Sequence, residues 1–171
     1  MTKNFDKITK KVANMYKKYP YPSPSTEVNQ TNELLNLLRI FELESNIQLK
    51  NKKFLDAGSG SGHRIVNVAQ HYKNCNFLGI DISDTSLKIS QTIKNKNNLK
   101  NIQFKKYNLM NPTFNLGKFD FILSMGVLHH LSNPNKGLEN ILKVLKKDGM
   151  IFVYLYGKLG GHKRILNKKL L

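Results

Sequence analysis

The sequence predicts an α/β protein: a doubly wound, mostly parallel five-stranded sheet with two helices before it. Three observations predict this class. From residue 52 onward, short apolar runs alternate with stretches of helical period. FDFILSMG (119–126) is apolar nearly throughout, as suits a strand buried on both faces of a parallel sheet. A glycine loop lies within FLDAGSGSG (54–62), where the first strand meets a helix.

Phe5, Ile8, Val12, Met15 and Tyr19 recur at alternating steps of three and four, one apolar stripe on a helix over 3–19. YPYPSPS (19–25) ends it, since prolines so close together cannot continue a helix. A second helix is predicted over 32–44, with Leu34, Leu38 and Phe41 on one face and Thr31 or Asn32 as cap. KKFLDA (52–57) is the first strand, and Ile65, Val66, Val68 and Ala69 mark the helix after the glycines. NFLGID (76–81) is the second strand, and SDTSLKISQTIK (83–94) a helix starting at Ser83 or Asp84. NIQFKKYN (101–108) reads as the third strand, 108–118 as loop, and 119–126 as the fourth strand. Pro134 to Lys147 reads as a helix, Asp148-Gly149 ends it, and MIFVYLYG (150–157) is the fifth strand. The terminal GGHKRILNKKLL has the composition to begin another helix.

The length of 171 residues suits about one full-sized domain. With 40% hydrophobic and 23% charged residues, wholesale disorder is excluded. No apolar run approaches the roughly 20 residues of a membrane helix, and the charged N-terminus lacks the apolar stretch of a secretory signal. The single Cys75 allows neither an internal disulfide nor a cysteine-built zinc site, and no metal site is expected. The expected setting is the cytoplasm. The net charge of +17 comes from 25 lysines and only three arginines, alongside 21 asparagines. AT-rich coding produces that bias, the lysines are spread along the chain, and nucleic-acid sites favour arginine. Nucleic acid is therefore not the favoured partner.

The glycine loop carries the chemistry. Gly58, Gly60 and Gly62 alternate after Asp56, so the backbone can turn sharply and a ligand can approach it closely. A dinucleotide loop needs glycine where His63 stands, which leaves a dehydrogenase a distant alternative, and the G-K-[ST] of a P-loop is missing. Asp81 closes the next strand, where a carboxylate can accept hydrogen bonds from both ribose hydroxyls.

Over residues 52–157 the chain resembles class I S-adenosylmethionine (SAM)-dependent methyltransferases, which have a Rossmann-like fold. FLDAGSGSG is similar to their first motif, GIDIS to their ribose-binding segment and FDFILSMGVLHHLSNP to their fourth-strand motif. VLKKDGMIFV is similar to their LK-P-G-G turn, with Asp148 in place of proline. The resemblance implies strand order 3-2-1-4-5 and SAM as cofactor. It implies a binding set of Asp56, Gly58, Ser59, Gly60 and Gly62 along the methionine part, and Asp81 and Ile82 at the ribose. Asn108, where the family usually has an acid, and Leu109 fall at the adenine; Ser124 and Met125 fall at the sulfonium end. His129 and His130, just past the fourth strand, are the candidates for a catalytic base.

The family's sheet has seven strands, and the last two find no counterpart here, so the sequence looks C-terminally truncated. The expected division is a helical cap with the YPYP segment over 1–48 and an incomplete SAM-binding core over 49–171. The expected activity is methyl transfer to a small-molecule acceptor. An RNA or protein methyltransferase, or a truncated SAM-binding module without activity, are the alternatives.

Overall fold

A computed structural model describes residues 6–111 and 115–157. Helix α1 (Lys7–Lys18) starts at Asp6, whose carboxylate accepts from the Ile8 and Thr9 amides. Prolines end it, and a 3-10 turn (Val28–Gln30) leads to α2 (Glu33–Ser45). Asn32 occupies the N-cap position of α2 without a side-chain capping bond; its Oδ1 instead accepts from Asn67 Nδ2 at 2.8 Å. Then follow β1 (Lys53–Ala57), α3 (His63–His71), β2 (Asn76–Asp81), α4 (Asp84–Lys96) and β3 (Ile102–Lys106). The chain continues with β4 (Phe119–Met125), a 3-10 turn (Leu128–His130), α5 (Pro134–Leu142) and β5 (Leu145–Tyr154). Ser83 caps α4 by accepting from the Ser86 amide. Phe5 and the terminal helix expected over 160–171 lie outside the described residues.

The five strands run in the order β3-β2-β1-β4-β5, every pairing parallel. Both faces are covered, because successive side chains of a strand point to opposite sides. Phe54 of β1 faces a cluster with Leu34, Leu35 and Leu38 of α2 and Ile65 and Val66 of α3. Its neighbour Leu55 faces the other cluster, with Ile122, Leu128 and Ile141. Register aligns Phe77, Phe54 and Phe121 across three strands, their rings stacked at 5.0 and 4.9 Å. Phe41 of α2 meets Phe121 and Phe152 edge-on at 5.9 and 5.3 Å. Such pairs add about 0.5–1.5 kcal/mol each beyond burial. Residues 33–45 thus share the core of the sheet.

One boundary differs from expectation. Helix α5 ends at Leu142 and not near Lys147, and β5 begins at Leu145. Leu145 pairs with Phe119 and Met150 with Phe121, so Lys146–Gly149 bulges out of the ladder. A Cβ on Gly149 would stand 2.9 Å from the Asp120 carbonyl. Lys146 holds the bulge through a 2.8 Å ion pair with Asp120. Among the described residues, no helix is long and apolar enough to cross a membrane.

Candidate functional site

The carboxyl ends of β1, β2, β4 and β5 open onto a cavity of about 720 Å³. It lies where the order reverses between β1 and β4, the place where open α/β sheets take ligands. The glycine loop wraps the end of β2: the Gly58 and Ser59 amides donate to the Ile80 carbonyl at 2.8 and 3.0 Å. The Gly60 amide donates to Asp81 Oδ2 at 2.9 Å, and the Ser83 amide to Asp81 Oδ1 at 2.8 Å. Burial raises the Asp81 carboxyl above its usual range, against the lowering effect of these amides.

Two glycines have different reasons to be glycine. At Gly60 φ is +55°, and an added Cβ would collide with the Tyr21 carbonyl. At Gly62 φ is +81°, and a Cβ would meet Ser90 Cβ at 2.6 Å and the Phe104 ring at 3.0 Å. The first admits the YPYP segment to the loop. The second lets α3 start close against α4 and β3.

Of the residues expected to hold a cofactor, Asp56, Gly58, Ser59, Gly60, Asp81, Ile82, Asn108, Leu109 and Met125 line the cavity. Gly62 and Ser124 do not. Ser124 is fully buried, and its hydroxyl donates to the Ala57 carbonyl at 3.4 Å. Adjacent strand residues face opposite sides, so Ser124 and Met125 do not share one wall. Asn108 Oδ1 accepts from the Met110 amide at 3.0 Å, and Asn140 Nδ2 donates to the Leu109 carbonyl at 3.0 Å. These two bonds fix the backbone after β3 against the cavity. Asp56 is buried at the end of β1, and burial lifts its carboxyl to about 7, with Arg64 pulling down and Asp81 pushing up.

The two histidines separate. His130 lines the cavity and meets the Tyr16 ring edge-on at 6.1 Å. His129 lies behind it, against the His130 ring at 4.2 Å and the Tyr156 ring at 4.4 Å. Neither buried ring nitrogen of His129 has a hydrogen-bond partner among the described residues, and burial lowers its pKa. His63 is buried, its Nδ1 2.9 Å from Ser61 Oγ, and stands outside the cavity.

The far wall comes from residues that sequence reasoning did not assign to a cofactor. Thr9, Val12, Met15 and Tyr16 of α1, then Tyr19, Tyr21 and Pro22, close one side. The Ser61 amide donates to the Tyr21 carbonyl at 3.1 Å, and the Ser61 hydroxyl to the Pro22 carbonyl at 2.7 Å. Ser132 Oγ donates to Asp6 Oδ2 at 3.1 Å, tying the start of α1 to the loop after β4. Arg64, Tyr107, Tyr154 and Tyr156 complete the lining. The advance signal for this wall was the expected helical cap with its YPYP segment, whose tyrosines pair an apolar body with a polar tip.

Residues 48–166 match the methyltransferase domain family. The chain belongs to it. Relatives of this methyltransferase domain include an uncharacterised protein of Rickettsia prowazekii, 30% identical over 149 residues, which are 86% of this chain and 58% of the relative. The ubiquinone biosynthesis O-methyltransferase of Coxiella burnetii is 28% identical over 119 residues, covering 70% of this chain and 50% of that protein. The crystal structure of coclaurine N-methyltransferase bound to N-methylheliamine and SAH superposes with a TM-score of 0.60 at 25% identity. That match covers 69% of this chain and 34% of the other. The matched part of the chain thus covers from 24% to 58% of the length of the curated relatives it is similar to.

Proposed function

We propose that this methyltransferase domain uses S-adenosylmethionine to methylate a small-molecule acceptor. One observation carries the reading: a glycine-rich loop, a ribose-competent carboxylate and a fixed backbone edge after β3 converge on a single cavity. Those parts fit the cofactor's three portions. The glycine loop takes the methionine portion, and Asp81 accepts from the ribose hydroxyls with lone pairs left over from Gly60 and Ser83. Asn108 and Leu109 flank the adenine, and Met125 lies toward the sulfur. The SAH bound in coclaurine N-methyltransferase supports this choice of cofactor.

When bound, SAM supplies an electrophilic methyl group on a positively charged sulfur. The protein then has to aim an acceptor at that carbon along the line of the departing sulfur and keep water out, and positioning supplies much of the rate. Tyr16, Tyr19, Tyr154 and Tyr156 give the acceptor side aromatic faces. A protonated acceptor must also lose a proton, and His130 stands on the wall to take it. The proposed setting is the cytoplasm.

Calorimetry with SAM and SAH, followed by transfer of a labelled methyl group from SAM into a fractionated metabolite extract, tests the reading. Binding of both and label in a low-mass product are expected. A folded chain that binds neither overturns it; binding without transfer would mark a SAM-binding module.

A further inference from the structure

Four aromatic rings meet at the acceptor side of the cavity, and they meet at near right angles. Tyr154, at the end of β5, and Tyr156, just past it, stand 5.9 Å apart between centroids, with their planes crossed at 87°. His130 is edge-on to Tyr156 at 6.5 Å and 86°, and edge-on to Tyr16 of α1 at 6.1 Å and 77°. Rings crossed in this way form the corners of a box rather than a stack. All four line the cavity, and Tyr154 and Tyr156 leave 52% and 49% of their surface exposed. The face of such a ring carries negative charge density and attracts a cation.

The charges around the cavity point the same way. In a chain of 25 lysines with a net charge of +17, no described lysine lines it. Glu33 and Asp81 do, along with Asp56, which burial keeps protonated up to about pH 7. Among the described residues, the cavity's permanent cation is Arg64, in the first turn of α3. Its guanidinium lies 5.3 Å from the centroid of Tyr21, which is not one of the four rings. A phenol, carboxylic acid or thiol reacts as an anion and ends neutral, so it gains nothing from ring faces. A neutral amine ends as a cation. Its nitrogen bonds to the methyl carbon as the carbon–sulfur bond breaks, the electron pair of that bond stays on sulfur, and the positive charge passes to nitrogen. Ring faces around that nitrogen favour the transition state over the ground state, which is what raises the rate of a chemical step. An amine that arrives protonated first gives a proton to His130, and a neighbouring sulfonium charge eases that loss.

We propose that the acceptor is an organic amine, methylated on its nitrogen inside the box formed by Tyr16, His130, Tyr154 and Tyr156. This acceptor chemistry rests on SAM being the cofactor, and two experiments keep the questions apart. In the first, NMR titrates the SAH-bound chain with choline and with its uncharged tert-butyl analogue, which has the same shape. Choline is expected to bind at least roughly 10-fold more tightly. Tyr156→Leu and Tyr154→Leu should each cut choline affinity about 2–5-fold with SAH affinity unchanged, and Tyr156→Phe, which keeps the ring face, should not. Equal affinity of the native chain for the two probes, or binding of neither, overturns the box as a cation site. In the second, SAM with a methyl group of heavy carbon is turned over in a metabolite extract and the product read by NMR. A methyl on nitrogen is expected. A methyl on oxygen, sulfur or carbon, or no labelled product, overturns the amine. A native chain that binds no SAH overturns the cofactor reading instead, and the amine with it.

Discussion

Asp81 Oδ2 accepts the Gly60 amide at 2.9 Å across the gap between the end of β2 and the glycine loop after β1. One carboxylate therefore shapes the loop and faces the cavity. Asp81→Ala leaves the Gly60 and Ser83 amides without their acceptors, at a cost of about 1–3 kcal/mol each. Thermal denaturation should show the lower stability, and calorimetry an SAH affinity reduced roughly 10–100-fold. Asp81→Asn, which keeps an acceptor oxygen but not the charge, should lie between. Full SAH affinity in Asp81→Ala would remove Asp81 from the ribose site.

Gly60→Ala and Gly62→Ala should part company. Each forces a side chain into a left-handed backbone, and each has no room for a Cβ. A loss of about 2–3 kcal/mol is expected for either in urea denaturation. Gly62 presses on Ser90 and Phe104, away from the cavity, so folded Gly62→Ala should bind SAH normally. Gly60 presses on the Tyr21 carbonyl, so folded Gly60→Ala should bind SAH more weakly, and limited proteolysis should cut more readily near residues 19–25. Equal SAH affinity in the two variants would contradict this division.

The sheet and the near wall of the cavity were legible because their signals are local. Apolar strands, a glycine loop and strand-terminal acids can each be read from consecutive residues. The β5 boundary was not legible: Leu138, Ile141, Leu142 and Leu145 keep helical spacing, yet Leu145 pairs with Phe119 in the sheet. What decides it is the bulge held by Lys146 and Asp120, a contact between distant segments. The family resemblance puts Ser124 and Met125 together at the sulfonium end, although strand alternation alone separates them. The cap over 1–48 was expected, but which of its residues reach the wall, and that Arg64 meets them, depends on how α1 and YPYP fold back over the loop, a long-range contact with no local signal.

Asp56 gives the ligand-free chain a pH signature. Burial raises its folded-state value from 3.8 to about 7, so the folded chain keeps a proton that the unfolded chain releases between those values. Stability should therefore fall as pH rises through that window and level off above about 7. Asp81, raised by burial in the same direction, adds to the slope. Urea denaturation from about pH 5 to about pH 8 should show the decline, and Asp56→Asn should flatten most of it. His63 and His129, held below their usual values by burial, add a contribution that rises with pH up to about 6.5 in both chains, so it is the difference between native and Asp56→Asn that reports on Asp56; two profiles of the same slope would mean that Asp56 is ionised in the fold.

His129 and His130 are neighbours in sequence with different tasks. His129 holds two buried nitrogens without partners among the described residues, so replacing it by an apolar side chain of similar size removes a desolvation cost. His129→Leu should be neutral or stabilising near pH 7. Its folded pKa lies below the ordinary 6.5, so below that value the unfolded chain takes up the extra proton first and stability drops. His129→Leu should reduce that acid-side loss. His130 lines the cavity, and His130→Ala should lower methyl transfer by ~10²–10⁴-fold, the usual weight of a general base, with SAH affinity unchanged. If transfer survives in His130→Ala, the acceptor arrives already deprotonated and positioning alone carries the reaction. If it is His129→Leu that binds SAH normally and fails to transfer, the proton passes through His129, and the ring now packed against Tyr156 must turn toward the cavity during turnover.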